Sequence, residues 1–221
     1  MAEALGELRE RLVFVGGCAT ALLITDPAAA PARATQDVDA VVAVASTVEY
    51  QRLGEALRAR GFSQTIAEGE PPYRWTLRGM KLDLMPAREE VLGFSNRWYE
   101  TAIRTAIRVA LPDGAAIRLV TPACFLATKL VAFEDRGAGD YLESHDLEDV
   151  LSVVDGRPDI AAELAQAEPQ VRRYVAEVFA RLLADDGFMN ALPGLVMDGS
   201  PAIRTPAVRE RLRAIAAMTI D

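Results

Sequence analysis

The apolar positions of the first 90 residues fall into short runs separated by polar turns, a pattern typical of a small sheet domain with helices. Two of the runs flank Arg78-Gly79, which predicts a hairpin. Strands are expected at 13–15, 37–45, 73–77 and 81–85, and helices at 3–12, 18–24 and 46–60. The sequence therefore predicts the α/β (α+β) class, with a small mixed sheet at the N-terminal side.

From residue 121 onward the pattern becomes helical. Thr121 followed by Pro122 is a typical helix start, because Thr caps the first turn and Pro fits the first helical position. Apolar residues recur every three or four positions in 141–154 and in 170–184. We expect two domains, an α/β domain over 1–120 and a mainly helical one over 121–221.

The composition limits the classes of partner. Of 221 residues, 51% are hydrophobic, which is enough to bury the core of one large or two small domains. The net charge of −8 argues against a broad nucleic-acid surface, although 24 Lys and Arg residues leave room for a local basic groove. Cys18 and Cys124 lie among apolar neighbours, so we expect two buried thiols in a reducing compartment.

The N-terminal residues do not resemble a secretory leader. The first seven residues are acidic instead of basic then apolar. The longest apolar runs are shorter than the ~20 residues that a spanning helix needs. These features predict a cytoplasmic protein that does not enter a membrane.

Acidic residues interrupt two of the predicted strands. Asp37 and Asp39 are two apart, so their side chains are expected on one face of a strand, and Asp83 lies between Leu82 and Leu84 on a later strand. An isolated Asp-x-Asp is more often a solvated turn. Three carboxylates converging at the rim of a sheet, however, suit hard divalent cations, which prefer oxygen ligands.

Two glycines precede these carboxylates. Gly16-Gly17 follows the first apolar strand and opens a predicted helix. Such a turn suits phosphate, because free backbone N–H groups and the helix dipole both face the anion. Together the glycines and the carboxylates indicate metal-assisted transfer from a nucleoside triphosphate.

This constellation resembles the nucleotidyltransferase superfamily of the DNA-polymerase-beta type. The shared pattern is an apolar strand, Gly16-Gly17, a helix, the Asp37-x-Asp39 pair and Asp83 on a later strand. The resemblance implies that the three aspartates bind Mg²⁺ in a two-metal site. It also implies that Asp83 orients or deprotonates the attacking hydroxyl of the acceptor.

The segment before the Asp37-x-Asp39 pair and the C-terminal half together resemble the AbiEii-type branch of that superfamily, which includes toxins of toxin–antitoxin systems. The matching residues are Arg33, Thr35, Lys129, Asp146 and Asp149. The resemblance implies that Lys129 and Asp146 are catalytic and that Lys129 neutralises triphosphate charge. Nucleotide binding is assigned by the same resemblance to Gly16, Gly17, Arg33, Thr35, Lys129 and Asp149.

Three positions depart from the family pattern. Cys18 stands where Ser or Thr is usual, Val15 where Lys is frequent, and His145 where the motif begins with Arg or Lys. Cysteine is a poor hydrogen-bond donor, so the departure at Cys18 affects nucleotide affinity and choice.

Several acceptors and partners are compatible with this pattern. The toxin-like interpretation predicts transfer to the 3′ end of a tRNA and a cognate antitoxin protein. The alternative is a small molecule such as an aminoglycoside-like antibiotic, because polycations favour acidic clefts; a protein hydroxyl is a third acceptor. A catalytically silent module that binds nucleotide or a partner is the hypothesis of a different class. The acidic residues that could form such a cleft are Glu134, Asp135, Asp140, Glu143, Asp146, Glu148 and Asp149.

Overall fold

The computed structural model describes residues 1–65, 70–137, 140–196 and 201–220 of the chain. Within these ranges six strands form one mixed sheet in the order β3-β4-β2-β1-β6-β5. The strands are β1 (Leu12–Val15), β2 (Asp37–Val42), β3 (Arg74–Leu77), β4 (Met80–Pro86), β5 (Ile107–Ala110) and β6 (Ala116–Leu119). The sheet together with the helices confirms the predicted α/β (α+β) class.

Helices alternate with the strands along the first part of the chain. After residue 121, the described elements are all helical. Short 3₁₀ helices cover Gly6–Arg11 and Ala217–Ile220. The α-helices are α1 (Ala2–Leu5), α2 (Gly17–Leu23), α3 (Thr47–Arg58), α4 (Glu89–Leu92), α5 (Tyr99–Thr105), α6 (Pro122–Gly137), α7 (His145–Gly156), α8 (Ile160–Ala165), α9 (Pro169–Ala184), α10 (Asp186–Leu195) and α11 (Pro201–Ala216).

The chain divides into two compact units that are not contiguous in sequence. The first comprises 1–19 and 34–121, and the second comprises 20–33 and 122–221. The segment 20–33 lies before β2 in the sequence, yet it belongs with the C-terminal helices. The division into domains 1–120 and 121–221 remains a prediction.

In the first unit, β1 is the central strand and all four of its residues are buried. It pairs antiparallel with β2 and parallel with β6, and β2 pairs parallel with β4. Apolar side chains from β2 and β4 are also buried, as expected for inner strands. The acidic residues of β2 and β4 therefore lie beside an apolar core.

Two predicted elements end earlier than expected, for local reasons. Strand β2 ends at Val42 and does not reach Ala45, whose backbone N–H is donated to the Glu49 carboxylate (2.6 Å) at the start of α3. The predicted helix 3–12 is interrupted at Gly6, whose φ of +53° belongs to the left-handed region. The chain continues from Gly6 as a 3₁₀ helix.

The second unit is a helical cluster held partly by backbone contacts from segment 20–33. The N–H groups of Thr25 and Asp26 are donated to the carbonyl oxygen of Gly156 at 2.8 and 2.9 Å. A Cβ at Gly156 would lie 2.8 Å from Cγ2 of Ile24, so the glycine permits this close approach. Helix α6 packs against α7 and α9, and α11 packs against α9.

None of the helices in the described ranges combines the length and apolar character needed to cross a membrane. Cys18 and Cys124 form no disulfide. Cys124 is buried, whereas Cys18 is half-buried and its thiol lies 3.1 Å from the carbonyl oxygen of Val15.

Candidate functional site

The strand register of the first unit brings Asp39 and Asp83 side by side. Asp39 on β2 is the register partner of Val15 on β1 and of Asp83 on β4. Asp83 is in turn opposite Arg74 on β3. Because register partners on neighbouring strands point to the same face, these polar side chains share one face of the sheet.

A second row of side chains lies one step along the same face. Asp37, two residues before Asp39, is the register partner of Lys81. The Lys81 ammonium is 3.6 Å from Asp37 Oδ1. The Thr35 hydroxyl oxygen accepts the backbone N–H of Asp37 at 3.2 Å, which places the Thr35 side chain beside the Asp37 backbone. The structure therefore brings Asp37, Asp39, Asp83 and Thr35 together.

The glycine turn lies directly against Asp39. Gly16 has a φ of +68°, and a Cβ built on it would lie 1.9 Å from Asp39 Oδ2. No side chain fits in this space, so glycine is required both by its φ and by the close carboxylate. Gly17 begins α2, and the carbonyl of Gly16 accepts the N–H of Ala19 at 3.0 Å.

Arg74 is a second cation, beside Lys81, that faces these carboxylates. Its Nε and Nη2 donate to Asp83 Oδ1 and Oδ2 at 2.8 and 2.7 Å, a bidentate pair. Nη2 also lies 3.8 Å from Asp37 Oδ2. The hydrogen bond to Asp83 raises the pKa of the Arg74 guanidinium, so Arg74 stays charged. Asp83 itself is only 6% exposed.

The donor set suits a divalent cation in part. Asp37 and Asp39 offer carboxylate oxygens on one face, which is the chemistry that Mg²⁺ prefers. The Asp83 carboxylate, however, is engaged on both oxygens by Arg74. Across the described residues, no three His, Cys, Asp or Glu side chains group closely enough to hold a metal ion. The three-carboxylate metal site remains a prediction, and it requires Arg74 to move.

A second group of predicted site residues lies in the second unit. The Lys129 ammonium on α6 is 3.0 Å from Asp146 Oδ1 and 2.7 Å from Asp149 Oδ2, both on α7. Burial disfavours the charged ammonium, but the Asp149 and Asp146 carboxylates outweigh it, so the pKa of Lys129 lies above its ordinary value. Lys129 is thus a buried cation that links two helices.

Three further basic residues contact carboxylates of α7. Arg136 Nη2 is 2.7 Å from the second oxygen of Asp146. Arg33 belongs to the second unit, where its Nε lies 3.6 Å from the Glu148 carboxylate. His145 Nδ1 lies 3.1 Å from the same Glu148 oxygen. Arg33 and Thr35, adjacent in the predicted motif, therefore fall in different units.

The register of the β3–β4 hairpin places Arg74 directly opposite Asp83. From the sequence, Arg74 is only a weak phosphate-binding candidate. A two-residue turn at Arg78-Gly79 pairs Leu77 with Met80, and counting back along both strands pairs Arg74 with Asp83. The hairpin signal alone could therefore have identified this ion pair.

The first unit also has an open cleft of about 470 Å³. It lies at the C-terminal ends of β2 and β4, beyond Val42 and Pro86, and none of the predicted site residues lines it. Its lining residues are Ala43, Val44, Ala45, Glu49, Ala87, Arg88, Glu100, Ile103 and Arg104. The chemistry-bearing carboxylates are thus separate from this cleft.

No protein-family model matches the chain, and no curated protein does. Among solved structures, the chain is similar to the solution structure of the antibiotic-resistance factor ANT(2'')-Ia. The sequence identity is 14% and the TM-score is 0.47, over 85% of this chain and 92% of that chain. At this identity, the function has to be argued from the residues of the chain itself.

Proposed function

We propose that the protein is a Mg²⁺-dependent nucleotidyltransferase that moves a nucleoside monophosphate from a nucleoside triphosphate to an acceptor hydroxyl. The observation that carries the proposal is the close approach of the Gly16 backbone to Asp39, in register with Asp83. A backbone turn that admits no side chain beside paired carboxylates is suited to hold a phosphate next to a cation.

The reaction is a single displacement at phosphorus. The acceptor oxygen forms a bond to the α-phosphorus, the bond from that phosphorus to the α–β bridging oxygen breaks, and pyrophosphate leaves. The hydroxyl proton passes to the Asp83 carboxylate, which must first lose a hydrogen bond from Arg74. Mg²⁺ bound by Asp37 and Asp39 would neutralise triphosphate charge.

In the first unit, nucleotide binding is assigned to the glycine turn. The backbone of Gly16 and Gly17 would accommodate the phosphates, with Thr35 nearby in sequence. For the second unit, the family resemblance assigns nucleotide binding to Arg33, Lys129 and Asp149, and there the Lys129 ammonium is paired with Asp146 and Asp149.

For the acceptor, the AbiEii-like motif supports the 3′ end of a tRNA, with an antitoxin protein as the regulatory partner. The net charge of −8 favours a cationic small molecule instead. Part of the predicted acidic cleft is already engaged within the chain: Glu134 with Tyr174 and Arg181, and Asp146 with Lys129 and Arg136. This internal pairing reduces the support for a large cationic acceptor.

The test is a label-transfer assay. The purified protein is incubated with Mg²⁺ and each α-³²P-labelled nucleoside triphosphate, with total tRNA and separately with a small-molecule extract. The control is the Asp37→Ala/Asp39→Ala variant. Low salt is used in the RNA arm because electrostatic binding is strongest there.

Label in RNA that the control abolishes would support the toxin-like activity and identify the base. Label in small species alone would support the antibiotic-modifying alternative. Absence of label in both arms would favour a silent binding module or transfer to a protein hydroxyl, the third acceptor. Label that persists in the control would contradict the nucleotidyltransferase proposal.

A further inference from the structure

The carboxylates of the first unit are accompanied by two cations from the neighbouring hairpin. Arg74 contacts Asp83 and Asp37, and Lys81 contacts Asp37. These are charge-assisted contacts within one sheet face. The negative charge that a divalent cation would meet is therefore smaller than three carboxylates alone would give.

Arg74 and Asp83 are held more firmly than the other pairs of this face. Two parallel N–H···O bonds of 2.8 and 2.7 Å join them, whereas the contacts to Asp37 are 3.6 and 3.8 Å long. Both residues are fixed at directly opposite positions of the β3–β4 hairpin. The guanidinium therefore covers Asp83, while Asp37 keeps looser contacts with its cations.

We propose that Arg74 is a positioning residue that withholds Asp83 from the divalent cation, so that Asp83 joins the cation site only when Arg74 releases it. This inference rests on the proposed function and specifies how its metal site is regulated. In the absence of nucleotide, Asp37 and Asp39 provide the carboxylates for the first cation. Phosphate oxygens of an arriving triphosphate are the natural alternative partner for the released guanidinium.

Metal binding without nucleotide tests the proposal directly. Mn²⁺, a spectroscopic substitute for Mg²⁺, is titrated into the full-length protein and followed by electron paramagnetic resonance and calorimetry. We expect Arg74→Gln to bind Mn²⁺ at least about tenfold more tightly, because the Asp83 carboxylate is no longer held by the guanidinium and can join Asp37 and Asp39 at the cation. Arg74→Lys keeps the charge but loses the bidentate fork, so a smaller gain is expected.

Two comparisons separate this role from a general charge effect. Arg108→Gln makes the same charge change on β5, where Arg108 pairs with exposed Glu10, and should leave the Mn²⁺ affinity unchanged. The Arg74→Gln gain is also measured in the Asp83→Asn background. If Arg74 acts through Asp83, the gain disappears there.

Unchanged or weaker Mn²⁺ binding by Arg74→Gln would overturn the proposal, as would a gain that persists without Asp83. Thermal unfolding shows that each variant is folded, and Arg74→Lys provides the test if Arg74→Gln is not. The titration uses no nucleotide or acceptor. Failure of this inference is therefore distinguishable from failure of the proposed function, which the label-transfer assay decides.

Discussion

Each unit of the protein holds a cation between two carboxylates, and the surroundings of the two clusters differ. In the first unit, Arg74 contacts Asp83 and Asp37 across adjacent strands, and its side chain is 24% exposed. In the second, Lys129 contacts Asp146 and Asp149 between two helices, and its side chain is 12% exposed. Similar ion pairs can therefore serve different purposes in one chain.

The difference lies in what the backbone does beside each cluster. In the sheet, the Gly16 backbone lies directly against the Asp39 carboxylate and admits no side chain there. Between the helices, the lysine joins α6 to α7 and its carboxylates are already close to it. Breaking a buried pair leaves an uncompensated charge, which costs more than breaking an exposed one. We therefore expect the first cluster to dominate activity and the second to dominate stability.

The largest expected effect is on activity. Asp39→Asn should reduce nucleotidyl transfer about a thousandfold, because loss of one carboxylate ligand removes several kcal/mol of charge stabilisation. Its free energy of unfolding should change little. Asp113→Asn, in the β5–β6 turn, is the matched control and keeps its side-chain acceptor for the Ala115 N–H. Equal rates for the two variants would remove the functional distinction between the clusters.

Lys129→Met should cause the largest loss of stability. Removing the partner of the buried Asp149 carboxylate and of the mostly buried Asp146 is expected to lower the free energy of unfolding by about 3–5 kcal/mol. Lys81→Met is the matched control, because its 43% exposed side chain makes only a 3.6 Å contact to Asp37. Denaturant titrations of both variants give the comparison, and a Lys81→Met loss as large as that of Lys129→Met would contradict it.

The stability difference between the wild type and Lys129→Met is expected to depend on pH. The pKa of Lys129 is raised in the folded state, so its stabilising contribution is complete below the ordinary value of 10.5. It is lost as the pH rises through the folded-state pKa. The stability difference between the wild type and Lys129→Met should stay constant around neutral pH and shrink above 10.5. A difference that shrinks already near neutrality would contradict the assignment.

An intermediate effect is expected at the glycine turn. Gly16→Ala should lower the free energy of unfolding by about 1–2 kcal/mol for its positive φ, and by about 1–3 kcal/mol more for the collision with Asp39. Gly114→Ala is the control, with a φ of +84° and open space around its Cβ. If both variants lose the same stability, the close approach to Asp39 is not a constraint.

The smallest effect is expected at the exposed edge of the second cluster. Arg136 pairs with Asp146 at 2.7 Å, but its side chain is 70% exposed. Arg136→Gln should change the free energy of unfolding by less than about 1 kcal/mol. Both Arg136 and Lys129 contact Asp146, so the comparison with Lys129→Met contrasts the stabilisation by an exposed cation with that by a mostly buried one. A loss as large as that of Lys129→Met would show that burial is not the cause.

Local patterns predicted most of the sheet of the first unit and the placement of its acidic residues. Alternation placed Asp37 and Asp39 on one face, and the Arg78-Gly79 turn fixed the hairpin, since both depend only on neighbouring residues. The pairing of β2 with β4, which sets Asp39 beside Asp83, depends on contacts between distant segments. Spacing along the chain does not determine that register.

The environment of the cations was harder to predict. The sequence shows Lys129 on an amphipathic helix, where an exposed side chain extending over Leu130 is an equally ordinary outcome. Its burial follows from the packing of α6 on α7, which brings Asp146 and Asp149 to it. Similarly, the assignment of Arg33 to the helical unit follows from tertiary contacts of segment 20–33.

That segment has a consequence for folding and for dissection of the protein. A fragment starting at Pro122 would lack segment 20–33, whose Thr25 and Asp26 N–H groups donate to the carbonyl oxygen of Gly156. Arg204 would also lose its ion pair with Asp26. The helices after residue 121 therefore make these contacts only when segment 20–33 is present. Insertion or cleavage within 20–33 should therefore destabilise the second unit itself, although this segment precedes β2 in the sequence.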